Sequence, residues 1–196
     1  MQGAKIAGGN PKNERVQDDY YATDPSAVNM LLDAHPMRGT SFLEPCVGGG
    51  HVANAVLRRI GEISDATYLD IIDRGYPGTV VQDFLKWNED KRYDLIITNP
   101  PYSLAGEFVE KGISVLNDGG CMALFLKIQF LEGEKRAGIF NRHPPKYIYV
   151  FRKRIATWNN GHSVNPETGK RWATTFCHAW FVWEQGFHGE PVVRWL

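Results

Sequence analysis

Residues 94–102, Asp-Leu-Ile-Ile-Thr-Asn-Pro-Pro-Tyr, join a buried-strand pattern to a rigid polar turn. Pro100 stands before Pro101 and is thereby kept out of the helical region, so its carbonyl is held in one place. That carbonyl and the side-chain oxygen of Asn99 can both accept hydrogen bonds from one NH2 group. Paired acceptors would turn the nitrogen lone pair toward an electrophilic methyl group, which is catalysis by positioning and electrostatics and not by a strong base. Tyr102 offers a face on which the planar ring carrying such an amine could stack. The bland alternative is a proline turn that merely ends a strand, and it loses ground because two further motifs stand upstream at matching distances.

The first is residues 42–51, Phe-Leu-Glu-Pro-Cys-Val-Gly-Gly-Gly-His, a strand running into a glycine-rich turn and then a helix. In a doubly wound sheet this turn lies at the carboxyl end of the first strand, where glycines let a ligand approach the backbone. It lacks the Gly-Lys-Ser/Thr ending of a phosphate loop and does not fit GxGxxG, so its guest is a nucleoside that need not carry phosphates. The second is acidic. Asp70 closes the next strand, where a carboxylate can accept from both hydroxyls of a ribose, with Asp73 as the fallback. Asp83 ends a third strand, where it could accept an adenine amine while Phe84 packs on the ring; its alternative role is a helix N-cap.

These residues need a frame. Segments 41–46, 66–72, 79–81, 93–98, 121–128 and 146–151 are short buried-strand candidates. Residues 52–60 follow the first strand as a helix, and Leu104, Phe108, Ile113 and Leu116 form a helical stripe between two later ones. Strands alternating with helices predict a mostly parallel sheet covered on both faces. Near the end, 174–184 and 192–195 read as strands that make an antiparallel edge. Residues 1–17, rich in Gly, Asn, Lys and Pro, read as a flexible arm, leaving 18–196 as a single domain. Segment 152–172 breaks the rhythm as a long basic loop, with Arg152, Lys153, Arg154, Lys170 and Arg171 against the single acid Glu167. Its charges would hold phosphates, with Trp158 near a base.

Lys and Arg together number 22, as do Asp and Glu, so positive charge for a nucleic acid must be local to such a loop. The three cysteines, Cys46, Cys121 and Cys177, are widely spaced and sit in apolar or small-residue settings, which predicts buried thiols and no metal. No apolar run is long enough to cross a bilayer and none marks a signal peptide, which points to the cytoplasm. Nothing in the sequence speaks to the oligomeric state.

Taken together the motifs resemble the amino-methyltransferase family. Residues 44–50 look like its cofactor loop, with Glu44, Pro45, Gly48 and Gly50 implied as contacts. Asp70 looks like its ribose-binding acid, Asp83 and Phe84 like its adenine contact, and residues 99–102, Asn99, Pro100, Pro101 and Tyr102, like its catalytic motif, with Asn99 implied as a cofactor contact as well. Residues 20–25, Tyr-Tyr-Ala-Thr-Asp-Pro, are similar to the segment covering the methionine part of the cofactor, with Tyr21 and Thr23 as contacts, though Asp24 stands between Thr23 and Pro25. Residues 130–133 and 177–184 look like small phage-type DNA adenine methyltransferases; Trp180 and Trp183 serve there as markers only and are expected in the core. The resemblance implies an α/β, Rossmann-like class I methyltransferase fold with a seven-stranded, mostly parallel sheet and helices on both faces. It implies S-adenosylmethionine as cofactor and adenine N6 in DNA as acceptor, inside a host cell's cytoplasm for a phage protein. A structured RNA or a protein glutamine is the alternative acceptor, and a catalytically silent nucleic-acid-binding subunit the alternative from another class. With no large recognition domain, sequence preference would be short, relaxed or supplied by the basic loop.

Overall fold

The computed structural model describes residues 21–196, so the arm expected over 1–17 lies outside the described residues. The chain runs β1 (Tyr21–Ala22), α1 (Pro25–Ala34), β2 (Ser41–Glu44), α2 (His51–Arg59), β3 (Asp65–Asp70), β4 (Thr79–Val81), β5 (Tyr93–Thr98), α3 (Ala105–Ser114), β6 (Leu116–Lys127), α4 (Glu134–Arg142), β7 (Tyr147–Val150), β8 (Trp158–Asn159), β9 (His178–Glu184) and β10 (Val192–Trp195). The main sheet has the order β10-β7-β9-β6-β5-β2-β3-β4.

Among the described residues the sheet therefore has eight strands and not the seven expected. All are parallel except β9, which pairs antiparallel with both β6 and β7. The two terminal strands do not form the antiparallel edge read from the sequence: β9 is inserted between β6 and β7, and β10 is an edge strand parallel to β7. The connection after β9 explains this. It returns the chain at the end where β7 begins, with the Lys146 N–H on the Val182 carbonyl (2.7 Å) and the Val192 N–H on the Lys146 carbonyl (3.0 Å), so the next strand runs alongside β7 in the same sense.

Alternation along each strand sorts the apolar residues to two faces. Phe42, Leu95, Ile97, Ala123, Phe125 and Trp180 meet α1 and α2 through Leu31, Val52 and Val56. Leu43, Ile96, Met122, Leu124, Phe181 and Trp183 meet α3 through Phe108 and Val109. A sheet covered on both faces needs strands apolar at every position, which is why β5, β6 and β9 read as continuous apolar runs. Trp180 and Trp183 are core residues as expected, and each donates its indole N–H at 2.9 Å, to Ala27 and His143 carbonyls respectively.

Local chemistry sets the ends of the elements. Asp24 caps α1 by accepting from the Ser26 N–H (2.9 Å), with Pro25 at the first helical position. Leu116 opens β6 and does not close the preceding helix; the Arg92 guanidinium donates to the Ser114 and Leu116 carbonyls between the two elements. Asp94 at the start of β5 accepts from the Thr40 and Ser41 N–H groups and from Asn117, fastening β2, β5 and β6 together at the end away from the site.

Segment 152–172 is more regular than a loop. Its β8 pairs antiparallel with β1, Val164 bridges to Arg171, and the Asn165 side chain accepts from the Glu167 and Thr168 N–H groups to build the turn between them. Among the described residues, no helix is long and apolar enough to cross a membrane.

Candidate active site

Because β2, β3 and β5 are parallel, their carboxyl ends lie together, and a cavity of about 600 Å³ opens over them. Tyr21, Thr23, Glu44, Pro45, Gly48, Asp70, Asp83, Phe84, Asn99, Pro100, Pro101 and Tyr102 all line it. Cys46, His51, Ile71, Arg74, Leu104 and Phe108 share the same wall, although the sequence assigned none of them to a ligand.

The glycine turn is fixed by the neighbouring strand. One Asp70 oxygen accepts from the Gly48 N–H at 2.8 Å and the other from the Ile72 N–H at 3.1 Å, so a single carboxylate ties the two strand ends together. Gly48 has φ +52° and Gly50 φ +76°, both left-handed. Gly50 does not line the cavity; a Cβ there would fall 2.0 Å from the Tyr76 ring, so this glycine serves the turn. Asp73 also stands outside and accepts from the Gly75 N–H at 2.8 Å. Asp83 does two jobs at once: it caps a short 3-10 turn through the Leu85 N–H (3.0 Å) and faces the cavity beside Phe84, whose ring packs 5.2 Å from that of Phe108.

Several polar atoms in the wall are buried without a hydrogen-bond partner. Thr23 Oγ1 and Glu44 Oε2 are buried and unbonded. Burial pushes the Glu44 carboxyl well above the usual carboxylate range, against the backbone hydrogen bond from Ala53, and the Asp70 charge raises it further. An unpartnered buried polar group costs about 1–3 kcal/mol, which a ligand with a matching donor removes. Burial likewise pushes the Cys46 thiol up.

Asn99 follows directly on β5 with its side chain oriented. Its Nδ2 donates to the Tyr21 carbonyl at 2.8 Å, and since a carbonyl can only accept, the amide oxygen is turned the other way. Pro100 is buried beside it, and Tyr102 follows with its hydroxyl enclosed and unpartnered, the phenol pushed up by burial. On the far side of Tyr102 the ends of β6 and β9 bring up residues that sequence reasoning missed. The Lys127 ammonium lies 5.0 Å from the Tyr102 ring centre and 3.5 Å from that of Phe176. The buried His178 stacks on Phe125 and donates from Nδ1 to the Ile155 carbonyl (2.9 Å); burial pulls its pKa down, the hydrogen bond opposes this, and Lys127 adds to it.

No protein-family model matches the chain. Over 104 residues it is 32% identical to the type II methyltransferase M.TthHB8I of Thermus thermophilus, a match covering 49% of this chain and 24% of that protein. The chain thus spans about a quarter of the length of this curated relative. Among solved structures it is similar to a predicted O-methyltransferase from Agrobacterium tumefaciens (TM-score 0.63, 14% identity, 88% of this chain and 85% of that one). It is also similar to the methyltransferase subunit of a type I restriction-modification system from Streptococcus thermophilus (TM-score 0.62, 13% identity, 89% and 47%). The fold is that of Rossmann-like class I methyltransferases.

The basic residues stand apart from the cavity. Arg152, Arg154, Lys170 and Arg171 are exposed on the surface and none lines it. Trp158, expected near a base, pairs with Ala22 in the β1–β8 ribbon and sets its ring edge-on to His51 at 5.5 Å, which puts it behind the cavity wall that carries Tyr21. Among the described residues, no group of three or more His, Cys, Asp or Glu side chains could hold a metal ion.

Proposed function

We propose that this chain is an S-adenosylmethionine-dependent methyltransferase that acts on an exocyclic amine, with adenine N6 in DNA as the acceptor. The orientation of Asn99 carries the reading. With Nδ2 taken by the Tyr21 carbonyl, Oδ1 is left as an acceptor, and with the carbonyl of the adjoining Pro100 it would form the pair needed to hold one NH2 group.

The cavity suits the cofactor. Its volume falls in the range of small-molecule sites. Each Asp70 oxygen already accepts one backbone N–H and keeps a lone pair for a ribose hydroxyl. Asp83 and the Phe84–Phe108 pair would receive the adenine, and the unpartnered Glu44 and Thr23 oxygens suit the ammonium of the methionine part. When bound, S-adenosylmethionine supplies a methyl group activated by its sulfonium. The chain's own residues hold the acceptor: Asn99 and Pro100 accept from the amine and Tyr102 backs its ring. An amine inside a duplex is reached by flipping the base out, at a cost of a few kcal/mol that stacking and phosphate contacts offset. The exposed cations of segment 152–172 suit those phosphates, and the likeness to a type II methyltransferase supports DNA as acceptor.

The test is incubation with labelled S-adenosylmethionine and unmethylated DNA, followed by nucleoside analysis of the digest. N6-methyladenine is expected. Label in RNA or protein with none in DNA would overturn the acceptor, and absence of cofactor binding would overturn the whole reading. Asn99→Ala should abolish turnover while cofactor affinity stays within about twofold; Asp70→Ala should weaken that affinity roughly tenfold or more by calorimetry.

A further inference from the structure

An Asn amide turns easily between two nearly isosteric orientations. Only one presents oxygen to an amine; the other presents N–H groups that repel it. In this chain the choice is made by the Tyr21 carbonyl, which belongs to a strand of two residues. A pair of two-residue strands does not support itself in water and must be anchored.

The anchor is on β8. Ala22 pairs with Trp158 and Tyr21 with Asn159. Trp158 packs edge-on against His51 at the start of α2, ring centres 5.5 Å apart. After β8 the chain reverses through Asn160 and Gly161, both left-handed at φ +49° and +76°, and the Gly161 N–H returns to the Trp158 carbonyl at 3.2 Å. The ribbon is thereby fixed to the helix that follows the glycine turn, and the glycine turn is fixed to Asp70.

We propose that the β1–β8 ribbon is the device that orients the catalytic amide, with Trp158 a positioning residue that acts through β1 and the Tyr21 carbonyl on Asn99. This rests on the methyl-transfer reading, and it assigns to Trp158 a role other than stacking on a base. Its place in the basic segment then has a reason: the stretch of chain suited to the acceptor's phosphates also sets the group that receives the acceptor's amine.

The experiment is a double-mutant cycle between Asn99→Asp and Trp158→Ala. Asn99→Asp keeps an acceptor oxygen and the shape of the side chain, but sets a carboxylate oxygen against the Tyr21 carbonyl. Each single variant should lower kcat on DNA by roughly tenfold, with KM for DNA and the cofactor Kd within about threefold. Trp158→Phe should recover most of the loss. The double variant should be no slower than the worse single one, because both remove the same interaction. Wild-type kcat in either single variant, multiplying deficits in the double, or a Trp158→Ala effect confined to KM would overturn the proposal. A readout independent of turnover is the exchange of the Asn99 side-chain amide protons, measured with 15N labelling: slow in the wild type, fast in Trp158→Ala and slow again in Trp158→Phe. If that pattern holds while the wild type methylates nothing, the ribbon's role stands and the reaction reading fails. If the wild type methylates DNA but its Asn99 protons exchange fast, the ribbon's role fails alone.

Discussion

Glu44 is a carboxyl in a wall that gives one of its oxygens no partner, and burial raises its pKa with the Asp70 charge adding to the effect. A carboxyl raised in this way holds its proton more tightly folded than unfolded. Stability therefore falls as pH rises from the ordinary carboxylate value through the raised folded value, and is level above it. Glu44→Gln removes the penalty. Without ligand, its melting temperature should match the wild type near pH 4 and exceed it by a margin that widens toward pH 8. A cation placed at Glu44 Oε2 favours the ionised form, so cofactor affinity of the wild type should increase over the same rise in pH and that of Glu44→Gln should not. Calorimetry at the two ends of the range checks both.

The elements meet where β2 turns into α2, and Gly50 is the tightest point of that turn. Its left-handed φ and the Tyr76 ring leave no room for a side chain. Gly50→Ala should cost roughly 2–4 kcal/mol in urea unfolding, and Tyr76→Ala in the same background should recover part of it. Glycines 48 and 50 look alike in the sequence, and only the fold separates one that lines the cavity from one that makes way for an aromatic ring. The same holds more widely. The strand-turn motifs at 42–51 and 94–102 were legible because each is local: an apolar run, then residues whose φ and hydrogen-bonding capacity allow little else. The places of β9 and β10 were not legible, since strand order depends on pairing between residues far apart, which no local pattern reports. Lys127 and His178 escaped as site residues for a related reason, because they reach Tyr102 from the ends of β6 and β9, far from it in sequence, and Phe176 joins them only through Lys127. The Asp24 that interrupts Thr23 and Pro25 is explained by a purely local duty, the cap of α1.

Over the whole molecule the 22 cations balance the 22 anions, so attraction for a polyanion has to come from how charge is distributed. Exchanging Arg152, Arg154, Lys170 and Arg171 together for Gln should leave cofactor affinity unchanged. It should weaken DNA binding and flatten its dependence on salt, lowering the slope of log K against log salt concentration by about two to three, as expected when that many phosphate contacts are lost. An unchanged slope would place the DNA elsewhere. The ribbon adds a kinetic consequence to this arrangement. Tyr21 belongs to the cavity wall, and the strand that braces it continues into the cationic segment. Because the two share one continuous ribbon, DNA held by the cationic segment would bear on the wall that borders the cofactor. For the proposed reaction, the rate of cofactor exchange should therefore differ between the free and the DNA-bound protein, which stopped-flow displacement measures.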